Sequence, residues 1–188
     1  MKPKEHSDRK TELVQRATEL VARQGYDSFS YADLVAPGLT KAAIHYHFPA
    51  KEDLGLAVLD VIGTSQQTLA QACVEQFGDA ALIPLMQHMA SRPWEDKICP
   101  LSSMQAEFNV LPAVMQARLK ALSQREVATV ADLLRGHAKH HGKRLSVPAE
   151  EGARLLLCAM KGSLLYGRTD GTPWTPKVTK RMLEWLFE

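Results

Sequence analysis

Residues 30–54 read SYADLVAPGLTKAAIHYHFPAKEDL. The run holds two short helical segments joined by a Gly-containing turn, the layout of a helix-turn-helix. Ser30 is a good N-cap for a helix over 31–36. Asp33, three residues later, gives a variant of the capping box, which prefers Glu or Gln. Pro37-Gly38 breaks that helix with a tight turn. Thr40 caps a second helix, 40–46. Phe48-Pro49 ends it, because the residue before a proline avoids the helical region. Ala50-Lys51-Glu52-Asp53 then opens a long amphipathic helix, with its stripe through Leu54, Val58, Val61, Ile62, Leu69, Cys73 and Phe77.

The second short helix has two different faces. Ile44 and Phe48 are four apart and point to a core. Thr40, Lys41, Ala42, Ala43, His45, Tyr46 and His47 are left outside. The DNA major groove is about 12 Å wide and accepts one helix. Small or hydrogen-bonding side chains of this kind suit it. His45 and His47 do not read as a metal pair, because helical residues two apart do not face each other.

Working outward, the chain reads as helix almost throughout. Upstream, Leu13, Val14, Ala17, Leu20 and Val21 make one apolar face. Ser7 or Asp8 is placed to cap that helix, and Gly25 to end it. Downstream, helices are expected over about 79–91, from about 101, from Pro112 to about 140, over 149–168 and over 176–187. No strand-period alternation and no internal repeat appears. The expected fold class is all-α: an N-terminal three-helix helix-turn-helix domain over 1–53, then a helical-bundle ligand-binding and dimerisation domain over 54–188.

Composition narrows the function classes. The chain has 188 residues, 45% hydrophobic and 23% charged, with a formal net charge of +2. That is an ordinary globular composition. Residues 1–53 hold eight Lys/Arg and eight Asp/Glu, so a DNA reading rests on where the cations sit, not on their number. Cys73, Cys99 and Cys158 are far apart and odd in number. They suggest neither a zinc knuckle nor a disulfide framework. The start, MKPKEHSDRK, has no apolar signal region, and no apolar run is long enough to span a membrane. These features point to a cytoplasmic protein without cofactor or metal. No nucleophile elbow or Gly-rich phosphate loop is present, so an enzyme is not expected.

The run Thr40–Leu54 (TKAAIHYHFPAKEDL) and the segment Ala17–Leu34 (ATELVARQGYDSFSYADL) resemble the TetR (tetracycline repressor)/AcrR family of transcriptional regulators. The resemblance covers roughly residues 10–60. It departs from the family between Asp33 and Lys41, where the turn is about one residue shorter and carries a proline. By this resemblance Lys41, Ala42 and His45 fall where family members touch base edges. Thr40, Tyr46, His47 and Lys51 fall where they touch phosphates, and Ser30 joins the DNA-contacting set. The chemistry fits: a Lys can bond guanine, a small Ala can meet a thymine methyl, and phosphate contacts set register.

The same resemblance implies a repressor released from its operator by a small-molecule effector. One recognition helix reads only a few base pairs, so a homodimer on a palindromic duplex is expected. Its interface would be the helices at about 112–140 and 149–168. Leu119, Leu122, Val130, Leu133 and Leu134 would line the first, and Leu155, Leu156, Ala159, Ser163 and Tyr166 the second. Gly152, Ala153, Gly162 and Gly167 would allow close approach. Met86, Met89, Trp94, Cys99, Met104, Gln105 and Phe108 are the expected effector contacts, since Met and aromatic side chains suit an adaptable apolar site. Cys73 and Cys158 read as core. His137, His140 and His141 read as a solvated helix end. Alternatives are an activator of the same fold, or an electrophile- or oxidant-sensing repressor acting through Cys99, which precedes a helix start.

Overall fold

The computed structural model describes residues 3–91 and 96–188, with side chains from residue 9 onward. In chain order the α-helices are α1 (Pro3–Gln24), α2 (Lys41–His47), α3 (Lys51–Phe77), α4 (Leu82–Ala90), α5 (Pro100–Ala106), α6 (Ala113–His141), α7 (Ala149–Asp170) and α8 (Trp174–Leu186). Single 3₁₀ turns occupy Tyr31–Leu34, Gly78–Ala80 and Phe108–Val110. Among the described residues the only β pairing is two isolated bridges, Ala36 with Leu39 and Leu145 with Phe187. The fold is all-α, as the periodicity predicts. Among these residues no helix is long and apolar enough to cross a membrane.

Three element boundaries differ from expectation. α1 starts at Pro3, so Ser7 and Asp8 lie inside it and are not its caps. The helix expected over 31–36 is one 3₁₀ turn, because Val35 is already extended (φ −64°, ψ 132°) ahead of Pro37. The helix expected over 79–91 is a 3₁₀ turn followed by α4. Elsewhere the apolar spacing and the breakers set the ends correctly to within a few residues.

The chain divides into two compact units. The first comprises residues 1–63 and 99–121, and the second residues 64–98 and 122–188. In the first, α1 buries Leu13, Val14, Ala17 and Val21, and the 3₁₀ turn buries Tyr31 and Leu34. α2 contributes Ile44, α3 Leu54, Val58 and Leu59, α5 Leu101 and Met104, and α6 Met115 and Leu119.

The second unit has a contiguous core of Leu82, Leu85 and Met86 on α4, Val130 and Leu134 on α6, Leu156, Leu157 and Met160 on α7, and Leu183 and Leu186 on α8, with Ala70 and Cys73 from α3. Gly152 lets the helices close up. A Cβ there would lie 3.1 Å from Leu186 and 3.5 Å from Leu134.

Two polar features sit in this second unit. The Glu126 carboxylate on α6 is nearly enclosed, its side chain 7% exposed. It accepts bonds from the Lys161 ammonium on α7 and, at 3.1 Å, from the Gln66 amide on α3. Removing one partner of a buried ion pair leaves an uncompensated charge, which costs about 3–5 kcal/mol. Lys161→Met is therefore expected to destabilise the protein by about that amount in denaturant unfolding. Pairing it with Glu126→Leu should restore most of the loss. A double variant no more stable than the single one would show that the pair is not the source.

The second feature is His137. It was expected in a solvated helix end, but it is buried, because its ring lies against those of His141 (centroids 4.3 Å apart) and Phe187 (4.9 Å). Its Nδ1 is enclosed without a hydrogen-bond partner. Burial, and then the nearby His141, Lys143 and His140, hold its pKa below the ordinary value. The unfolded chain therefore takes up this proton at higher pH than the folded one. Stability is fully present above the unfolded value of about 6.5 and is lost as pH falls through it. Between about pH 8 and pH 5.5, the melting temperature of His137→Phe is expected to fall less than that of the parent protein. Equal slopes would rule His137 out as the cause.

Candidate nucleic-acid interface

The two-helix corner is built from local hydrogen bonds. Ser30 caps the 3₁₀ turn: its hydroxyl accepts the Ala32 N–H at 3.2 Å, and the Asp33 carboxylate accepts the Ser30 N–H at 2.7 Å. Asp33 thus completes the capping box that its shorter side chain only suggested from sequence. Those bonds from Ser30, backbone first and hydroxyl second, hold Asp33 below the usual carboxylate range.

The shortened connection is a closed turn. Leu39 donates to the Ala36 carbonyl at 2.8 Å and Ala36 donates back at 3.3 Å. Pro37 and Gly38 occupy its middle, and Gly38 has φ +82°. Pro at the second position and a left-handed Gly at the third is the type II pattern. Thr40 then caps α2, its hydroxyl accepting the Ala43 N–H at 3.2 Å. At the far end Phe48 donates to the Ile44 carbonyl at 2.9 Å.

On α2 the two faces separate as the spacing predicts. Ile44 and Phe48 are buried. Lys41, Ala42 and His45 are exposed with Tyr46, which is 71% exposed. At 3.6 residues per turn these four span about 140° of the helix circumference. Thr40 is exposed at the cap, and Ala43 and His47 are half-buried at the edges. The His45 ring stands edge-on to Tyr31 at 4.8 Å, and Tyr46 to His47 at 5.5 Å. Beneath them the buried Tyr31 hydroxyl donates to the Phe48 carbonyl at 2.8 Å. Burial first, and then Asp53, push the Tyr31 pKa up to about 12.

Two residues expected at DNA are occupied within the protein. The Ser30 hydroxyl serves the capping box. The Lys51 ammonium lies 4.7 Å from the ring centres of both Tyr26 and Phe29 and donates to the Asp27 carbonyl at 3.3 Å. Burial lowers the Lys51 pKa, against the pull of Asp27, Glu107 and Asp33. Neighbouring cations are distributed similarly: Arg16 pairs with Glu12 at 3.0 Å, and Lys10 covers the Phe48 ring at 5.5 Å. Sequence reading missed Glu107, whose carboxylate accepts the Tyr26 N–H at 2.8 Å and the Asp27 N–H at 3.2 Å. No local pattern marks a contact 81 positions apart.

The expected effector contacts fall in different units. Cys99, Met104, Gln105 and Phe108 belong to the first, with Met104 fully buried; Cys99 stands at the N-cap of the seven-residue α5. Met86 and Met89 belong to the second, Met86 within its core. Trp94 lies outside the described residues. Of the residues expected to line a dimer interface, Leu119, Leu122, Val130, Leu133 and Leu134 are all buried within their own chain, as are Leu156 and Ser163. Their apolar face is used by neighbouring helices of the same chain, not by a surface. What α7 does expose is a stripe at helical spacing: Leu155, Cys158, Leu165 and Tyr166, crossed by Gly162, where a Cβ would meet nothing within 4 Å. Cys158, expected in the core, lies on this outer side because the inner face is filled by Leu156, Leu157 and Met160.

Removing the Tyr31 hydroxyl tests the corner. Tyr31→Phe leaves the Phe48 carbonyl without its partner, and a loss of about 1–2 kcal/mol in unfolding free energy is expected. Unchanged stability would mean that water replaces the hydroxyl.

Residues 13–58 match the family model described as bacterial regulatory proteins, tetR family. Among solved structures, a TetR-family transcriptional regulator from Agrobacterium tumefaciens superposes with a TM-score of 0.89 at 22% identity, over 97% of this chain and 100% of its own. A TetR transcriptional regulator from Legionella pneumophila gives 0.80 at 21% identity, over 93% and 95%. A putative transcriptional regulator from Saccharomonospora viridis, solved in complex with choline, gives 0.79 at 21% identity, over 97% and 99%. At these identities the shared property is the fold. Comparison with curated protein sequences gave no match.

Proposed function

We infer, from a chain whose residues 13–58 match the model of the tetR family of bacterial regulatory proteins and whose fold resembles that of TetR-family regulators, that this protein is a cytoplasmic repressor binding a palindromic duplex as a homodimer. The observation that carries this reading is α2 itself. It is capped by Thr40 and anchored by Ile44 and Phe48, and it presents Lys41, Ala42, His45 and Tyr46 on one uncovered arc. In this reading Lys41, Ala42 and His45 meet base edges, while Thr40, Tyr46 and His47 meet phosphates. Ser30 and Lys51 act mainly by holding the corner. The reading role is assigned to residues 1–53 and the regulatory role to 54–188, with residues 54–63 and 99–121 packed in the same compact unit as the reading residues. The exposed α7 stripe is where a second copy would bury apolar area, in place of the α6 side chains expected from sequence.

A small-molecule effector would release the DNA by favouring a form whose reading helices no longer match the operator spacing. The choline held by the Saccharomonospora viridis protein supports a small molecule as the effector class. Met86 and Met89, both in the second unit, are its candidate contacts.

Selection of the purified protein against a random duplex pool tests the reading. Enrichment of a palindrome is expected. Lys41→Ala should weaken binding to it by about 1–3 kcal/mol and relax preference at one position of each half-site. Tyr46→Phe should weaken all sequences alike. A pool that stays random at low salt would sink the proposal.

A further inference from the structure

Glu107 reaches the reading corner from a distant part of the chain. It follows α5, and its carboxylate ends beside the residues that link α1 to the Ser30 cap. α1 closes with the Gly25 N–H bonded to the Val21 carbonyl at 3.1 Å. The next two N–H groups, of Tyr26 and Asp27, turn away and are both accepted by one Glu107 oxygen, at 2.8 and 3.2 Å. The other oxygen lies against Gly25, where a Cβ would stand 2.0 Å from it. Gly25 also has φ +95°, a conformation that side chains other than glycine's resist. From the opposite side the Lys51 ammonium bonds the Asp27 carbonyl and covers the Tyr26 and Phe29 rings. One carboxylate and one ammonium, from separate segments, thus grip both backbone polar groups of Asp27.

We propose that Glu107 is a positioning residue for DNA reading: its carboxylate fixes the direction in which the pair of reading helices leaves α1. The proposal rests on the DNA-binding function above. Residues 25–29 carry the chain from α1 into Ser30–Phe48, so what holds them contributes, with the burial of Ile44 and Phe48, to the angle at which α2 is presented. Glu107 also shares a short segment with Met104, Gln105 and Phe108. A ligand that shifts this segment would withdraw the carboxylate from Tyr26 and Asp27.

The test compares Glu107→Ala and Glu107→Gln with the parent protein, at a temperature where all three are fully folded. Two quantities are read: affinity for the selected duplex, and amide hydrogen exchange at Tyr26 and Asp27. Glu107→Ala should raise exchange at both amides and weaken duplex binding about tenfold, with dimer and sequence preference unchanged. Glu107→Gln keeps an accepting oxygen in place and should stay within about threefold of the parent in both readouts, a rescue that general loss of stability would not give. Parental affinity in fully folded Glu107→Ala overturns the positioning role. Parental exchange at Tyr26 and Asp27 overturns the clamp itself. A parent protein that selects no duplex overturns the DNA function and the positioning role with it, while the exchange readout still decides the clamp.

Discussion

A seven-residue helix does not hold its shape alone in water, because nucleation costs more than so few hydrogen bonds return. α2 is such a helix, and it exists here because Ile44 and Phe48 are buried in the first unit. Much of the corner serves that burial. Thr40 satisfies one end, and the closed turn at Ala36–Leu39 delivers the chain to it. Tyr31 reaches under the helix to take up the Phe48 carbonyl, which cannot join a further helical turn because Pro49 follows. Burial of Ile44 and Phe48 holds the helix down, so that under the proposed function most of the exposed arc serves to meet DNA.

Both units tie distant segments together with charged side chains, half-buried in the first and largely withdrawn from water in the second. In the first, Glu107 and Lys51 meet at the backbone of residues 26 and 27. In the second, Glu126 and Lys161 meet across α6 and α7, with Gln66 of α3 beside them. The buried Glu126–Lys161 pair adds little net stability, because desolvation offsets most of the attraction. Its effect is on geometry: once one partner is displaced, the other is left costly, so intermediate arrangements are disfavoured. Under the proposed function, in which the protein exchanges two definite forms, joints of this kind are an advantage.

Local chemistry was legible in the sequence and remote chemistry was not. Ser30, Thr40, the Pro37-Gly38 turn and the Phe48-Pro49 stop all act over four residues or fewer, and each does what its residue type predicts. The 3₁₀ turn ended two residues early, since Val35 is already extended two positions before Pro37. Burial of long helices was harder to assign. α6 and α7 each carry apolar residues on more than one face, and periodicity does not say which face the chain covers itself. Hence Leu133 and Leu134 are core where an interface was expected, Cys158 is exposed where core was expected, and His137 is enclosed by Phe187 from the chain's other end. Glu107 carried no sequence signal, since an isolated glutamate after a helix is ordinarily a solvated one.

Under the proposed DNA-reading function, the division of labour on α2 bears on how such a protein changes its target over evolutionary time. Substitutions at Lys41, Ala42 and Tyr46 alter what the helix offers to DNA while leaving Ile44, Phe48 and both caps untouched. Most mutations destabilise, and a marginally stable fold tolerates few of them. Confining target choice to side chains that do not stabilise the helix lets operator preference drift at little cost to folding. His45, edge-on to Tyr31, is the member of the arc for which drift and stability are coupled, and it should change more slowly than its neighbours.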